Sequence, residues 1–387
     1  METPTLERLR VIAPGRINLL GEHLDYNHGI VLPAAIDRHF EFEIQARQSP
    51  LILIEALDLN EQWEFLWTEL SDLPTNGWKN YVKGVLLLMD LDLHQPTGLH
   101  IRFTSNIPIG AGLSSSAALC CGLAFGLNEF YNLGKTRLEL ALLAQQTEHQ
   151  FAGVQCGLMD QVASLFGKAN HLLAFDCISH DITPFELPLH GVQLFLIDSK
   201  VKHNLAESAY NQRRASMEQA WSLAQELFPH LENWRDLNTA NAAQLFEKLN
   251  VETQKRLQYV LEEIQRVQAL QKLAIALSAE AESSKTEALL EQLGACLSQT
   301  HVGLSILYEV SCAELDFLQD QITKHPGVYG ARMMGGGFGG CLLVLASAEF
   351  EPSSALSPIF SAYQNQFGST ALHYPIALAA GVHVGAC

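Results

Sequence analysis

The chain lacks the features that mark several common protein classes. It has 24 Lys and Arg against 42 Asp and Glu, a formal net charge of −18. A nucleic-acid or anionic-membrane surface needs a basic stripe, so this composition argues against both partners. No apolar run approaches ~18 residues, so we expect no membrane span. No cationic start is followed by an apolar run, so we expect no signal peptide.

Paired cysteines are also missing. The eight cysteines are scattered and form no C-x-x-C pair, which leaves zinc ligation without support. Several lie within apolar runs, as small buried hydrophobic residues do. Because no disulfide framework is evident, we predict a cytoplasmic protein. For the oligomeric state we predict a monomer.

What the chain does contain is enough apolar sequence for two cores. Its 387 residues, 48% of them hydrophobic, exceed one typical core, so we expect two domains. The periodicity changes near 185–192, around Pro184, Pro188 and Gly191, which predicts domains at 1–190 and 191–387. A C-terminal segment can pack back on the first domain. The patterns predict strands at 39–47, 51–54, 99–103, 192–197 and 341–345, and helices at 78–89, 115–131, 138–151, 206–227 and 251–277.

The densest polar cluster lies in residues 13–33, here called the 13–33 segment. Its polar residues fall within thirteen positions, beside the apolar run 30–32: Arg16, Asn18, Glu22, His23, Asp25, Tyr26, Asn27 and His28. A polar turn between two strands would also be rich in such residues. Charged and imidazole groups next to an apolar run favour a sugar-binding site over such a turn. Each buried sugar hydroxyl needs a partner, since an unmet group costs about 1–3 kcal/mol.

Residues 108–117, here called the phosphate loop, have the composition of an anion site. A strand pattern precedes the loop, and an Ala- and Leu-rich helix pattern follows it. Gly110 and Gly112 let backbone N–H groups approach a ligand, and the run 114–116 places three serines at the helix N-terminus. One serine can also ligate Mg²⁺. The alternative is a serine-capped helix after a turn.

Two other nucleotide-binding motifs are matched only in part. Gly134-Lys135-Thr136 ends like a Walker A loop, but Glu129 occupies the position of its first glycine. Residues 335–340, here called the glycine loop, formally satisfy G-x-G-x-x-G. A strand pattern follows them where a dinucleotide fold needs a helix. The glycine loop is better interpreted as a packing loop close to another backbone.

Asp160 is the candidate catalytic carboxylate. It lies in an apolar setting just after Gly157, and Glu148 precedes it by twelve residues. Phosphoryl transfer needs a carboxylate near the attacking hydroxyl, a metal, and cations or N–H donors around the phosphate. Asp160 suits the first role and Glu148 the second, while Arg16 can stabilise the charged form of Asp160. The alternatives are a helix cap for Asp160 and a solvated helix face for Glu148.

The three loops, in this order, resemble those of the GHMP kinase superfamily. Residues 15–26 are similar to the signature of its galactokinase family, the phosphate loop to its ATP-phosphate loop, and 330–341 to its third motif. A further galactokinase-like stretch comprises 201–205 with Ser208, Tyr210, Arg213 and Arg214. The resemblance spans nearly the whole chain.

The resemblance implies a two-domain α+β fold with helices packed on mixed sheets and an active site in the cleft between the domains. It implies ATP-dependent phosphorylation of the anomeric hydroxyl of α-D-galactose to galactose 1-phosphate, a reaction of the Leloir pathway, with Mg²⁺. Asp160 would face that hydroxyl with Arg16 beside it. The galactose-binding residues would be Glu22, His23, Asp25, Gly157 and Tyr210.

The same resemblance implies a nucleotide and metal site. The residues around the phosphates would be Gly110, Gly112, Ser114, Ser115 and Ser116. Trp78 would border the adenine. Ser116 and Glu148 would coordinate Mg²⁺, although Ser115 can take the place of Ser116. One departure from the family pattern is Met334, where a Thr is usual, which removes a hydroxyl near the phosphate loop.

Two other functions share these motifs. A kinase for N-acetylgalactosamine or L-arabinose would carry nearly the same residues. A non-catalytic sensor of galactose and ATP would resemble the family but have a damaged phosphate loop. The serine run 114–116 and Asp160 are both complete here, which argues against the sensor.

Overall fold

The computed structural model describes residues 7–91, 97–187, 191–202, 206–280 and 283–386. Part of the predicted domain boundary, 188–190, lies outside these residues, as do 203–205 of the galactokinase-like stretch. The described strands are β1 Arg8–Asn18, β2 Ile30–Val31, β3 Pro33–Arg47, β4 Leu51–Ala56, β5 Glu61–Leu66, β6 Gly98–Ser105, β7 His171–Asp176, β8 Ile182–Glu186, β9 Val192–Lys202, β10 Val328–Met333, β11 Gly339–Ser347, β12 Leu372–Ile376 and β13 His383–Val384.

Helices separate and cover these strands. The described α-helices are α1 Trp78–Leu88, α2 Ser115–Tyr131, α3 Arg137–Thr147, α4 Met159–Phe166, α5 Ala206–Leu227, α6 Thr239–Phe246, α7 Val251–Ala279, α8 Ser283–Val302, α9 Ala313–Thr323 and α10 Pro352–Phe367. The strands and helices predicted from periodicity are thus confirmed. One helix differs: the predicted 138–151 helix ends at Thr147, and a π-helical turn over Glu148–Ala152 continues it.

The strands form one sheet from each half of the chain and a small third sheet. The first has the order β13-β1-β3-β6-β4-β5 and is antiparallel except where β4 pairs with β6. The second has the order β10-β11-β9-β12, and the third is β2-β7-β8. Helices α2 and α4 pack on the first sheet, with α1 and α3 against α2. Helices α8 and α9 pack on the second sheet, with α10 against α9. The predicted combination of mixed sheets with helices on them is confirmed.

Helix α2 fixes the position of the phosphate loop. It is apolar on almost every side, as expected of a helix buried all round. At Gly122 a Cβ would overlap Phe42 of β3 and Ala13 of β1. Glycine therefore lets the helix lie directly on the sheet, with its N-terminus beside the end of β1.

The C-terminal segment returns to the first sheet. Strand β13 pairs with β1 through Val11↔Val384, so it belongs to the first sheet rather than to the second. Just before it, the N–H of Val382 donates to the Ser164 carbonyl and that of Gly381 to the Gly167 carbonyl. These bonds hold the end of α4. The boundary at 190 between the two predicted domains stays a prediction.

Candidate active site

The phosphate loop presents backbone N–H groups at the start of α2. Gly110 and Gly112 both have positive φ, at 76° and 74°, which glycine adopts without strain. Ser114, the residue before the helix, donates its hydroxyl to Asp160 Oδ2 instead of capping the first turn. The interpretation as a serine-capped helix is therefore wrong for Ser114. The first N–H groups of α2 remain available for an anion.

Buried Arg16 and half-buried Asp160 form an ion pair beside this loop. Arg16 Nε donates to Asp160 Oδ1 at 2.7 Å, and Arg16 Nη2 donates to Asp160 Oδ2 at 3.2 Å. Asp160 lies in the first turn of α4, and an irregularity of β1 between Pro14 and Arg16 precedes the arginine. Burial lowers the pKa of Arg16, but the charge of Asp160 and other carboxylates more than offsets it, so the pKa is raised. The guanidinium therefore stays charged and holds the carboxylate in one orientation.

Ser116 and Glu148 form a second polar contact at the start of α2. The Ser116 hydroxyl donates to Glu148 Oε2 at 2.9 Å, and Gln161 Nε2 donates to Oε1 at 2.7 Å. Glu148 begins the π-helical turn and is buried, so it does not lie on a solvated helix face. Burial, together with the charge of Asp160, raises its pKa to about 7. A hydroxyl and a carboxylate oxygen thus lie side by side next to the N-terminus of α2.

Glu22 of the 13–33 segment is bonded to three groups within the protein. Its carboxylate accepts hydrogen bonds from Asn18 Nδ2, Arg332 Nη2 and the N–H of Gly335. Burial would raise the pKa of Glu22, but the charges of Arg332 and Arg16 more than offset it and lower the pKa. Glu22 is therefore an ionised group that ties the 13–33 segment to the glycine loop. It still borders the cavity described below.

His23 is a neutral, incompletely bonded group in the same segment. Its Nδ1 lies 2.7 Å from the Tyr26 hydroxyl, and its Nε2 is buried without a hydrogen-bond partner among the described residues. Burial lowers the pKa of His23 to about 4, so the ring is uncharged near neutral pH. A buried ring nitrogen without a partner is costly in a protein interior. A ligand hydroxyl is a suitable partner for it.

Asp25 lies against Gly157, and the fit needs a glycine. A Cβ at position 157 would overlap the Asp25 carboxylate, with Oδ2 the nearest atom. Burial, with the charges of Asp160 and Glu22, raises the pKa of Asp25 to about 7. Tyr210 of α5 lies close by, with its ring centroid 5.6 Å from that of His23. The structure thus brings together the five residues implied to bind galactose.

These side chains surround a cavity of about 230 Å³, here called the sugar cavity. At about 30 Å³ per water it has room for roughly eight waters, which suits a small polar molecule. Its walls come from both sides of residue 190: Arg16, Glu22, His23, Asp25, Ser116, Glu148, Val154, Cys156, Met159, Asp160, Tyr210, Asn211, Gly335, Gly336 and Gly337.

A second space, the phosphate cleft, runs along the phosphate loop. Besides Gly110, Gly112 and the serine run 114–116, its walls include Arg16, Asp160 and Gly335–Gly336. A third hollow between β6 and α1 contains Trp78, Tyr81, Ser115 and Ser116. Trp78 thus lies next to the loop serines rather than at the sugar cavity, and its Nε1 donates to Glu61.

Sequence reasoning missed Arg332 and the part that the glycine loop plays at the sugar cavity. Arg332 is fully buried and bonds Glu22 and the Asn18 carbonyl. The signal was an arginine in an apolar strand, which needs a buried carboxylate as partner. The packing role predicted for the glycine loop is confirmed at Gly337, where a Cβ would overlap the Val310 carbonyl. A strand, β11, follows the loop, as predicted.

Comparison with known proteins identifies the family. Family models match the galactokinase galactose-binding signature at residues 5–45, the GHMP kinases N terminal domain at 80–168 and the GHMP kinases C terminal domain at 285–367. A galactokinase of Thermosipho africanus is 37% identical over 377 residues, which cover 97% of this chain and 99% of that protein. This chain belongs to the galactokinase family. A galactokinase of Thermotoga maritima is 35% identical over 97% of this chain and 99% of its own length.

Solved structures agree with membership of the galactokinase family. The crystal structure of Lactococcus lactis galactokinase complexed with galactose has a TM-score of 0.88 and 28% identity, covering 98% of this chain and 95% of that chain. A mevalonate kinase of Methanococcus jannaschii has a TM-score of 0.65 at 17% identity, covering 97% and 99%, and shares the fold. The predicted two-domain GHMP kinase fold is therefore confirmed, and a kinase of this family uses ATP. Among the described residues no helix is long and apolar enough to cross a membrane.

Proposed function

We propose that this chain transfers the γ-phosphoryl group of ATP to the anomeric hydroxyl of α-D-galactose, giving ADP and galactose 1-phosphate. The adjacency of two spaces carries the proposal. The sugar cavity and the phosphate cleft share Arg16, Ser116 and Asp160. A sugar in the first and a polyphosphate in the second would meet at one carboxylate. Holding both reactants in such a geometry is the main catalytic contribution in phosphoryl transfer.

The sugar cavity supplies partners of several kinds for a polyol. Asp25 accepts hydrogen bonds when ionised, and Tyr210 adds an aromatic wall. His23 Nε2, which has no partner among the described residues, can pair with one hydroxyl. Gly157 leaves room for the Asp25 carboxylate. Glu22 borders the cavity and holds the glycine loop against it. We assign these five residues to galactose binding.

Asp160 is the group we assign to the attacking hydroxyl. Arg16 fixes both carboxylate oxygens and Ser114 adds a third donor. So held, the carboxylate can accept a hydrogen bond from the anomeric O–H, orient that oxygen, and receive its proton as the new O–P bond forms. A loose transition state asks little of a base, because the hydroxyl becomes more acidic as transfer proceeds. Arg16 also stabilises negative charge moving toward the sugar oxygen.

The phosphate loop would hold the nucleotide. Backbone N–H groups around Gly110 and Gly112 and at the start of α2, with the hydroxyls of Ser115 and Ser116, can bond phosphate oxygens. The hollow lined by Trp78 and Tyr81 adjoins these serines and would receive the adenine. Met334, in place of the usual Thr, is buried, and its N–H bonds the Cys341 carbonyl.

The same loop has a donor set that fits Mg²⁺. This ion prefers oxygen ligands and is commonly held by one or two carboxylates together with substrate phosphates and waters. Ser116 and Glu148 offer two such oxygens 2.9 Å apart. A group of three or more His, Cys, Asp or Glu is not found among the described residues, and a phosphate-bridged Mg²⁺ does not need one. When bound there, Mg²⁺ would neutralise phosphate charge.

A panel of acceptor sugars tests this proposal. The purified protein is given ATP with D-galactose, N-acetylgalactosamine, L-arabinose or D-glucose, with and without Mg²⁺, and ADP release is measured. We expect turnover with galactose that depends on Mg²⁺. Faster turnover with N-acetylgalactosamine or L-arabinose would reassign the sugar, and binding of galactose and ATP without any turnover would indicate a sensor.

The compartment and the oligomeric state belong to the same proposal. We place the enzyme in the cytoplasm as a monomer. The cysteines between residues 120 and 341 are free thiols rather than disulfides. A reducing compartment keeps thiols in that state. Sedimentation of the purified chain at micromolar concentration tests the monomer.

A further inference from the structure

Two side chains of helix α7 form hydrogen bonds with the backbone of the 13–33 segment. The Tyr259 hydroxyl donates to the Glu22 carbonyl at 2.9 Å. One turn further along the same face, Glu263 Oε1 accepts the N–H of Gly21 at 2.7 Å. Residues four apart lie on one side of a helix, so both side chains reach the same stretch of backbone. Two adjacent residues of the segment are thus fixed by two side chains of one helix.

Glu263 is a carboxylate fully buried in the protein. Its other oxygen, Oε2, accepts the Thr300 hydroxyl of α8 at 2.7 Å and Arg266 Nε at 2.7 Å. Arg266 also lies over the Tyr259 ring, 5.7 Å from its centroid. A buried carboxylate is tolerated when it is paired in this way. The pairing fixes Glu263, and Glu263 in turn fixes the N–H of Gly21.

The backbone at Gly21 packs closely against strand β2. Its φ is +96°, and a Cβ there would lie 2.9 Å from the Ile30 carbonyl oxygen and 2.9 Å from the Val31 Cα. The next residues of the segment are Glu22, His23 and Asp25, which border the sugar cavity. A change in how α7 holds Gly21 is therefore transmitted to the cavity wall.

We propose that Tyr259 and Glu263 are positioning residues for the acceptor sugar. They fix the backbone at Gly21 and Glu22 so that the following side chains face the sugar. Neither is among the residues described around the sugar cavity or the phosphate cleft, so both act through the 13–33 segment. The inference rests on the proposed function, since it concerns the sugar half of that site.

The test uses two conservative variants, each with a matched control. Tyr259→Phe removes one hydroxyl, and Tyr363→Phe removes another buried one, which donates to the Ser199 carbonyl at 2.8 Å. Glu263→Gln removes a charge that pairs with Arg266. Glu262→Gln removes the neighbouring charge, which also pairs with Arg266 but has no described contact with the 13–33 segment.

For each protein we would measure the KM values for the best acceptor sugar and for ATP, the Kd of that sugar by calorimetry, and the Tm. Tyr259→Phe should raise the sugar KM and Kd by roughly two- to tenfold, the equivalent of one net hydrogen bond. Glu263→Gln should raise them further, because an amide has one accepting oxygen. It cannot accept from Gly21 on one terminal atom and from Arg266 and Thr300 on the other. The ATP KM should change little, and both controls should keep wild-type values for sugar and ATP.

The possible failures are distinguishable. Sugar Kd values for Tyr259→Phe and Glu263→Gln no larger than those of the two controls would overturn the inference while leaving the proposed function intact. So would equal increases in the KM values for sugar and ATP, because they would indicate general loosening of the fold. A wild-type protein that phosphorylates no sugar would overturn the proposed function, and the inference with it.

Discussion

The guanidinium of Arg16 binds the carboxylate of Asp160 through Nε and Nη2, while its Nη1 donates to the carbonyl of Gly112 at 2.6 Å. One cation therefore connects the proposed catalytic carboxylate to the phosphate loop. Arg16 and Asp160 are 144 residues apart in the chain. In the proposed reaction, the relative position of the sugar oxygen and the phosphate would therefore depend on the planar guanidinium of this one side chain.

Removing the Asp160 carboxylate should abolish most turnover. We expect Asp160→Ala to lower kcat by on the order of 10²–10⁴, the usual contribution of a positioned proton acceptor. ATP should still bind, since the phosphate loop is unchanged. Steady-state kinetics and a nucleotide titration measure the two effects, with the Tm as a check on folding. Turnover within a few-fold of wild type would remove Asp160 from the mechanism.

Arg16→Lys keeps the positive charge but loses the planar guanidinium group. A lysine cannot bond both oxygens of Asp160 and the Gly112 carbonyl in the same plane, so the carboxylate should lose its fixed orientation. We expect kcat to fall by at least about tenfold, one charged hydrogen bond being worth about 1.5–3 kcal/mol. Single-turnover kinetics would measure it. If the Arg16→Lys variant kept the wild-type kcat, the positive charge at position 16 would be sufficient for catalysis without the guanidinium hydrogen bonds.

Galactose binding should depend on pH through Asp25. Its pKa is raised to about 7 by burial and neighbouring carboxylates, so the group is largely protonated below that pH in the free protein. Binding through the ionised form then requires loss of a proton, which weakens affinity as pH falls. We expect Kd to rise by up to about tenfold per pH unit below 7 and to level off above 8.

Calorimetry of galactose binding between pH 5.5 and 8.5 checks this dependence. Omitting nucleotide and Mg²⁺ keeps phosphate ionisation and metal binding out of the profile. Asp25→Asn cannot titrate at this position and serves as the control. If it showed the same pH profile as wild type, the dependence would have to be assigned to another group.

Gly157→Ala should damage the sugar site selectively. Its methyl group would overlap the Asp25 carboxylate, and such overpacking costs about 1–3 kcal/mol. We expect the KM for galactose to rise by roughly tenfold while the KM for ATP stays close to wild type. Steady-state kinetics with each substrate varied in turn would show this. An alanine variant with normal galactose kinetics would place Asp25 away from the sugar.

The phosphate loop could be predicted because its signals are local. Two glycines, a serine run and an apolar helix lie within one short stretch, and α2 begins at Ser115 as the pattern indicates. Short-range periodicity likewise located the strands and the long helices. The end of α3 is harder to predict from sequence, because apolar spacing is similar in α and π turns. The sequence therefore does not reveal the π-helical turn at Glu148–Ala152.

The contacts that complete the site join distant parts of the chain. Arg332 and Glu22 are 310 residues apart, and Glu263 and Gly21 are 242 apart. Their pairing depends on how the second sheet and α7 pack against the 13–33 segment. Residue type can indicate that a buried charge needs a partner. It cannot indicate which partner, so the sequence predicts that Glu22 contacts the sugar but not that it bonds Arg332 and Gly335.

The return of the C-terminal segment to the first sheet has a consequence for synthesis. Ser164 and Gly167, at the end of the helix that carries Asp160, are held by Val382 and Gly381. A ribosome makes Gly381 and Val382 after every residue of the phosphate loop and of α4. A nascent chain thus has its phosphate loop before the proposed catalytic helix is secured, and we expect activity to appear only after Gly381 and Val382 have left the ribosome.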